Sequence, residues 1–270
     1  MKSLVLGITI ASIMLIGTVA KAAEDEGMVL YLSFDEGVGN ITKDLSGNGN
    51  DGSIKGGAKW VQGKDGKALE LDGEDDYVQV PYDDIFNITD AITLAAWIKP
   101  SLPFDPPWRA IINNREFGAE GSYLLQTSQT NGGPERVAEF ALRLPGGYTY
   151  MRAVTLLTSD DLWHIAATYD EESSEMRIYV NGELEEDATP NQAPSGAINP
   201  ASQDGIFIGK DYGVDSPNWF GGTIDEVAIY NRALTEEQVK DLYQGEIKRK
   251  IVAVEPAGKL TTTWASIRKQ

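Results

Sequence analysis

FGGTIDEVAIYNRALTEEQVKDLYQG, residues Phe220 to Gly245, is the stretch whose reading decides the fold. Its first half is a strand in which Ile224, Val227, Ile229 and Tyr230 surround an acidic pair, Asp225 and Glu226. Its second half is a short helix. Thr235 with Gln238 three residues on makes a capping box, Leu234 and Val239 supply the hydrophobic staple, and Gly245 offers the C-terminal stop. A strand that carries two carboxylates through an apolar setting and ends in a capped helix closes a sheet. Neighbouring residues on a regular strand point to opposite faces, so Asp225 and Glu226 are expected on opposite sides and not as a working pair.

Outward from this stretch, the chain from Met28 consists of short β-rich runs separated by Gly, Asn, Asp and Pro. Strands are expected at 29–34, 68–71, 77–80, 92–99, 110–114, 122–127, 138–144, 148–156, 163–169, 176–180, 205–208 and 222–230. With one helix and no βαβ alternation, the pattern predicts an all-β fold of two antiparallel sheets packed face to face. Asn181-Gly182 is expected to form a type I′ hairpin turn. Period two places Trp163, Ile165, Ala167 and Tyr169 on the core face and the lone histidine, His164, on the other. Trp60, Trp97 and Trp163 are expected in the core. Long Pro-, Gly- and Ser-rich loops at 100–108, 128–135 and 187–204 are where binding is expected.

At the N-terminus, Lys2, the apolar run from Leu4 to Ala20 and Ala20-Lys21-Ala22 read as a signal peptide over 1–22, cleaved before Ala23. The domain is expected over 23–245, and 246–270 as a tail or an added edge strand. Export implies a secreted, periplasmic or cell-surface location. The chain has no cysteine, so an oxidising space gives it no disulfide staple. Its formal charge of −18 repels phosphate backbones and anionic lipids, which excludes nucleic acid as a natural partner.

The chain resembles the laminin-G-like jelly-roll domains of the concanavalin A-like lectin/glucanase superfamily. The likeness lies in Leu32-Ser33-Phe34-Asp35-Glu36-Gly37, in Asp44-Leu45-Ser46-Gly47-Asn48-Gly49-Asn50-Asp51-Gly52, and in Ala68-Leu69-Glu70-Leu71-Asp72-Gly73 followed by Asp76-Tyr77-Val78. It continues through Thr93-Leu94-Ala95-Ala96-Trp97-Ile98, Trp163-His164-Ile165-Ala166, Tyr179-Val180-Asn181-Gly182, Ile224-Asp225-Glu226-Val227 and Tyr230-Asn231-Arg232-Ala233-Leu234. The resemblance implies a two-sheet jelly-roll sandwich of about a dozen strands, secreted or at a cell surface, often with a calcium ion and often on carbohydrate or adhesion partners. It does not imply one function, because the superfamily holds lectins, glycosidases and adhesion modules.

Calcium takes six to eight oxygen ligands. Three acidic islands could supply them: Asp35/Glu36, the loop Asp44 to Asp51, and Asp225/Glu226. Asp35, Asp44, Asn48, Asp51 and Asp225 are the expected ligands. The competing reading of the loop is an Asx-turn whose side chains satisfy its own backbone. Asp72, Asp75 and Asp76 are expected to form a turn.

Jelly-roll glucanases carry closely spaced acids at alternate positions of one strand, and no such run occurs here, so no catalytic residue is assigned. Sugar recognition needs exposed aromatic platforms beside polar groups. Trp108, Arg143, Tyr148, Arg152 and Trp219 are the expected ligand-binding residues. The reading is a secreted, non-catalytic, calcium-stabilised module that recognises a glycan or a surface glycoprotein. The alternatives are a glycoside hydrolase or lyase of the same superfamily and a protein-binding adhesion module.

Overall fold

The computed structural model describes residues 26–101, 108–114, 121–130, 135–158, 161–211 and 218–246; the expected signal peptide and all but the first residue of the expected tail lie outside them. The strands in chain order are β1 (Met28–Leu32), β2 (Ile41–Thr42), β3 (Gly52–Lys55), β4 (Lys59–Gln62), β5 (Lys67–Asp72), β6 (Tyr77–Val80), β7 (Ala91–Pro100) and β8 (Arg109–Asn114). They continue as β9 (Tyr123–Gln129), β10 (Arg136–Leu144), β11 (Gly147–Arg152), β12 (Trp163–Asp170), β13 (Glu175–Val180), β14 (Glu183–Leu184), β15 (Ile206–Ile208) and β16 (Gly221–Tyr230). A single turn of 3₁₀ helix spans Asp84–Phe86, and α1 spans Glu236–Gln244.

Two antiparallel sheets result. The first runs β14-β13-β12-β7-β16-β5-β4, with β1 also paired to β16; the second runs β11-β10-β9-β8-β15-β6-β3-β2. Their inner faces meet in one large core that includes Leu30, Leu94, Ile165, Ile224, Val227 and Ile229 from the first sheet and Val78, Ile111, Leu125, Phe140 and Ile206 from the second. The Asn181-Gly182 turn forms as expected, with φ of 52° and 78° and Val180 paired to Glu183. A Cβ on Gly182 would stand 3.0 Å from the Tyr243 side chain, so the same glycine lets α1 pack on the turn.

The helix begins as read: Thr235 accepts from the amide of Gln238, the Gln238 side chain accepts from the amide of Thr235, and Gly245 ends it in the left-handed region at φ 73°. Its buried residues Val239 and Leu242 cover the outer face of the first sheet with Tyr31, Ala95, Ala166, Tyr179 and Ala228. This cover corrects one expectation. Trp97 is buried, but on that outer face and not between the sheets, stacked on Tyr243 with centroids 5.4 Å apart and 21° between planes. Trp60 and Trp163 pack partly buried against the core.

A second correction lies in β16. The pairing with β7 slips between Asp225 and Ala228, and Glu226 sits at φ 50°. Ile224 and Val227 both face the core across this bulge, so Asp225 and Glu226 together occupy the outer side. Strand β11 also ends earlier than expected, at Arg152, because the amides of Val154 and Thr155 turn away to the Glu185 carboxylate at 2.7 and 2.9 Å.

His164 lies on the outward face, as alternation requires, yet it is only 2% exposed beneath α1. Burial, aided by the Lys64 ammonium, holds its imidazole well below the ordinary range, at about 3. The unfolded chain protonates this residue near 6.5, so its contribution is fully present above that pH and is lost as the pH falls toward 3. The other titratable groups of the recess it lines are Tyr31, Lys64, Asp65, Glu226, Tyr243 and Glu246. Between pH 6.5 and 5, where most carboxylates stay charged, the unfolding free energy from denaturant titrations should fall with a slope approaching ~1.4 kcal/mol per pH unit. His164→Asn should flatten that slope; an unchanged slope would show that another group sets it.

Candidate functional site

The outer face of the second sheet is built by alternation. On β10, Ala138, Phe140 and Leu142 enter the core, which turns Glu139, Ala141 and Arg143 outward. Register then fixes their neighbours: Glu139 opposes Arg152 and Gln126, Ala141 opposes Tyr150 and Leu124, and Arg143 opposes Tyr148. Ala110, Leu124 and Ala141 form a small apolar floor against which Tyr148 and Tyr150 pack, half-buried, with ring centroids 6.0 Å apart. The Arg152 guanidinium lies 4.7 Å from the Tyr150 ring centre and donates through Nε to Glu139 Oε2 at 2.6 Å. Gln126 Nε2 donates to the other oxygen of Glu139, a carboxylate only 2% exposed. A recess of about 330 Å³ opens beside Arg152, lined by Val137, Val154 and Ala188 among others.

At the far side of the same sheet stands a second aromatic group. Tyr77 on β6 meets Phe207 on β15 at 6.1 Å and Trp219 at 5.5 Å, and the Lys210 ammonium sits over Tyr77 at 4.3 Å, Trp219 at 4.9 Å and Phe207 at 5.3 Å. Burial lowers the pKa of Lys210. Between the two groups, buried Asp211 accepts from Asn113 Nδ2 and Asn218 Nδ2. Strands lie about 4.8 Å apart, so the five steps from β11 to β6 span roughly 24 Å.

Of the expected ligand residues, Arg143, Tyr148 and Arg152 therefore come together on β10 and β11, and Trp219 stands in the second group. Trp108, 40% exposed, lies immediately before β8. Glu139, Gln126, Tyr77, Phe207, Lys210 and Asp211 were not singled out by the sequence reading. Only the alternation Tyr148-x-Tyr150-x-Arg152 could have found part of this arrangement.

The five expected calcium ligands separate into two places. Asp44 accepts the amides of Tyr31 and Ser46 on Oδ1 and of Asn50 on Oδ2, at 2.9–3.1 Å. Asp51 accepts the amide of Asp44 and pairs with the Lys43 ammonium, and Asn48 donates to the carbonyls of Met28 and Val29. Asp35 and Asp225 hold a different segment, the β4–β5 turn, through the amides of Lys67 and Lys64 at 2.9 and 2.8 Å. As a set the five do not fit one ion. Among the described residues, the acids whose oxygens lie within 4.8 Å of one another in a group of three are Asp72, Asp75 and Asp76. There Asp72 accepts from the amides of Glu74 and Asp75, and Asp76 accepts from Asp72 and Gly57, the hydrogen bonds of a turn.

A laminin-G family model described as the concanavalin A-like lectin/glucanases superfamily matches residues 72–240. The chain belongs to this superfamily. No curated protein matches it. Among solved structures, this superfamily member is similar to the binding domain of Paraclostridial mosquitocidal protein 1 (22% identity, TM-score 0.63, covering 83% of this chain and 53% of that one). It is also similar to domain 4 of AbnA, a GH43 extracellular arabinanase of Geobacillus stearothermophilus, in complex with arabinotriose (21% identity, TM-score 0.58, 80% and 98%). A third is a structure of botulinum neurotoxin type C, whose cell entry is dependent upon interaction with two ganglioside molecules (16% identity, TM-score 0.61, 83% and 52%). The chain thus spans about half the length of the mosquitocidal-protein and neurotoxin chains and nearly all of the arabinanase domain. At these identities the likeness is one of fold.

The Glu139 carboxylate tests the geometry of the face. Arg152→Gln should cost about 1–3 kcal/mol, because it leaves a buried carboxylate oxygen without its charged donor. Urea unfolding would measure it; a change within a few tenths of a kcal/mol would mean that Glu139 is reached by solvent.

Proposed function

We propose that this chain is an exported, non-catalytic module that lays a neutral oligosaccharide across the outer face of its second sheet. The observation that carries the reading is the row Tyr148, Tyr150 and Arg152 on β11, set against Arg143 and Glu139 on β10 and followed across the sheet by Tyr77 and Trp219. A sugar ring has an apolar face and a hydroxyl rim, so it suits aromatic rings flanked by fixed amides and charges. The span of the face matches a ligand of several units. Arg152 is already committed to Glu139, which favours a neutral glycan over an acidic one. The arabinotriose complex of the arabinanase domain and the ganglioside dependence of the toxin support a glycan as the class of partner, without naming the sugar.

Calorimetry with arabinotriose, xylotriose, cellotriose and sialyllactose tests the reading. At least one neutral trisaccharide should bind, and Tyr148→Ala and Tyr150→Ala should each weaken it about tenfold, the loss of ~1.4 kcal/mol expected for an aromatic contact. Binding untouched by both substitutions would move the site elsewhere. Reducing sugar released from the same samples would replace the binding reading with the glycoside-hydrolase one.

Calcium belongs to this proposal in a narrower form. Near the Asp44 loop, Glu36 Oε1 accepts the amide of Lys43, while its Oε2 is buried without a hydrogen-bond partner. Asp51 holds the next amide, that of Asp44. An ion at this loop would take Glu36 and Asp51. Calcium should then raise the melting temperature, and Glu36→Gln should abolish the rise; a melting temperature unmoved by calcium or chelator removes the ion from the account.

A further inference from the structure

The outer face of the first sheet holds a second recess, separate from the proposed glycan face and about 620 Å³ in volume. That lies within the ~300–1,000 Å³ of small-molecule sites. Trp97 on β7 and His164 on β12 contribute from the sheet, Tyr31 on β1 and Glu226 at the β16 bulge from its far side, Lys64 from the β4–β5 turn, and Tyr243 from α1. Three features mark it as built. The Trp97 and Tyr243 rings are stacked, with the Lys64 ammonium over both at 4.2 and 5.7 Å. Glu226 holds a positive φ of 50° for a non-glycine residue and accepts the hydroxyl of buried Tyr31. His164 Nδ1 is buried and has no hydrogen-bond partner, although a buried imidazole nitrogen ordinarily has one.

The chemistry of the lining narrows the occupant. Lys64 already sits over the aromatic rings, so a ligand cation would have to displace it. The carboxylates of Glu226, Asp65 and Glu246 at the recess oppose an anion. A hydroxyl can donate to a carboxylate, accept from an ammonium, and do either with a neutral imidazole. We propose that this recess is a second ligand site, which takes a small neutral polyhydroxyl molecule such as a single sugar residue, with a hydroxyl completing the hydrogen bonding of His164.

His164 is the chain's only histidine, so its ring nitrogens give one set of signals. ¹⁵N-resolved spectra of the full chain would be followed at neutral pH during titration with the methyl glycosides of glucose, galactose and arabinose, with myo-inositol, and with inorganic phosphate and tetramethylammonium as charged probes. The expected result is a saturable shift of the His164 nitrogens with at least one of the neutral probes. Lys64→Ala and Glu226→Gln should each weaken it by more than about tenfold, the loss of one hydrogen bond to a charged group. Tyr148→Ala/Tyr150→Ala should leave it unchanged, which separates this site from the proposed face. Signals unmoved by every neutral probe overturn the proposal on the wild-type protein alone. So does a shift with phosphate or tetramethylammonium only, or one that vanishes in the Tyr148/Tyr150 variant.

Discussion

Carboxylates that accept backbone N–H bonds hold this structure's loops in place. A sandwich built from short strands needs many turns, and each turn leaves amides outside any ladder. Disulfides cannot pin them, because the chain has no cysteine. Acidic side chains do it instead: Asp44 gathers the amides of Tyr31, Ser46 and Asn50, Asp225 those of Lys64 and Glu226, and Glu185 those of Val154 and Thr155. Hydrogen bonds to a charged acceptor contribute about 1.5–3 kcal/mol each, more than neutral ones. The backbone at the β4–β5 turn is shaped to allow this. A Cβ on Gly63 would stand 2.4 Å from Asp225 Oδ2, and one on Gly66 2.0 Å from Asp35 Oδ1.

The bulge in β16 decides what the two outer faces become. By pairing with β1, β5 and β7, this strand sits at the centre of the first sheet. Two consecutive acids on its outer side let one, Asp225, reach the neighbouring turn while the other, Glu226, meets Tyr31. The helix that follows immediately then closes over Trp97 and His164. Under the helix that face is covered except for its recess. No helix among the described residues covers the second sheet in the same way, and its tyrosines keep part of their surface in solvent.

The architecture was legible where one local rule determines the outcome. Asn181-Gly182 could only turn, Thr235 and Gln238 could only begin a helix, and Trp163 to Tyr169 alternate cleanly. The short strands β2, β3 and β4 escaped notice because they are two to four residues long, polar, and paired at sheet edges or beside them. The bulge also escaped, since nothing in the letters Asp-Glu separates a regular strand from one with an extra residue. Alternation placed His164 correctly on the outward face, but only the packing of α1 made that face an interior. The proposed binding face was half visible: Tyr148, Tyr150 and Arg152 share a face by period two, whereas the placement of Arg143 beside Tyr148 and the partnership of Arg152 with Glu139 depend on the register between β10 and β11. The expected calcium set illustrates the same limit. Acids spaced through a glycine-rich loop can hold either an ion or the loop's own amides, and the letters alone do not distinguish them.

Three cations of this acidic chain are placed with a shared logic. Lys64 lies over Trp97 and Tyr243, Lys210 over Tyr77, Phe207 and Trp219, and Arg152 over Tyr150. An aromatic face attracts a cation most strongly where water is partly excluded, and each of these sites adjoins a recess or the proposed binding face. The local positive charge offsets the field of the surrounding carboxylates without reversing it, because a net −18 remains over the molecule. An anionic ligand must therefore approach against the long-range field, and a cationic one meets a lysine or arginine already over the rings. A neutral sugar meets neither obstacle. Its hydroxyls can pair with both signs of charge, and its apolar ring face can use whatever aromatic surface the cation leaves uncovered.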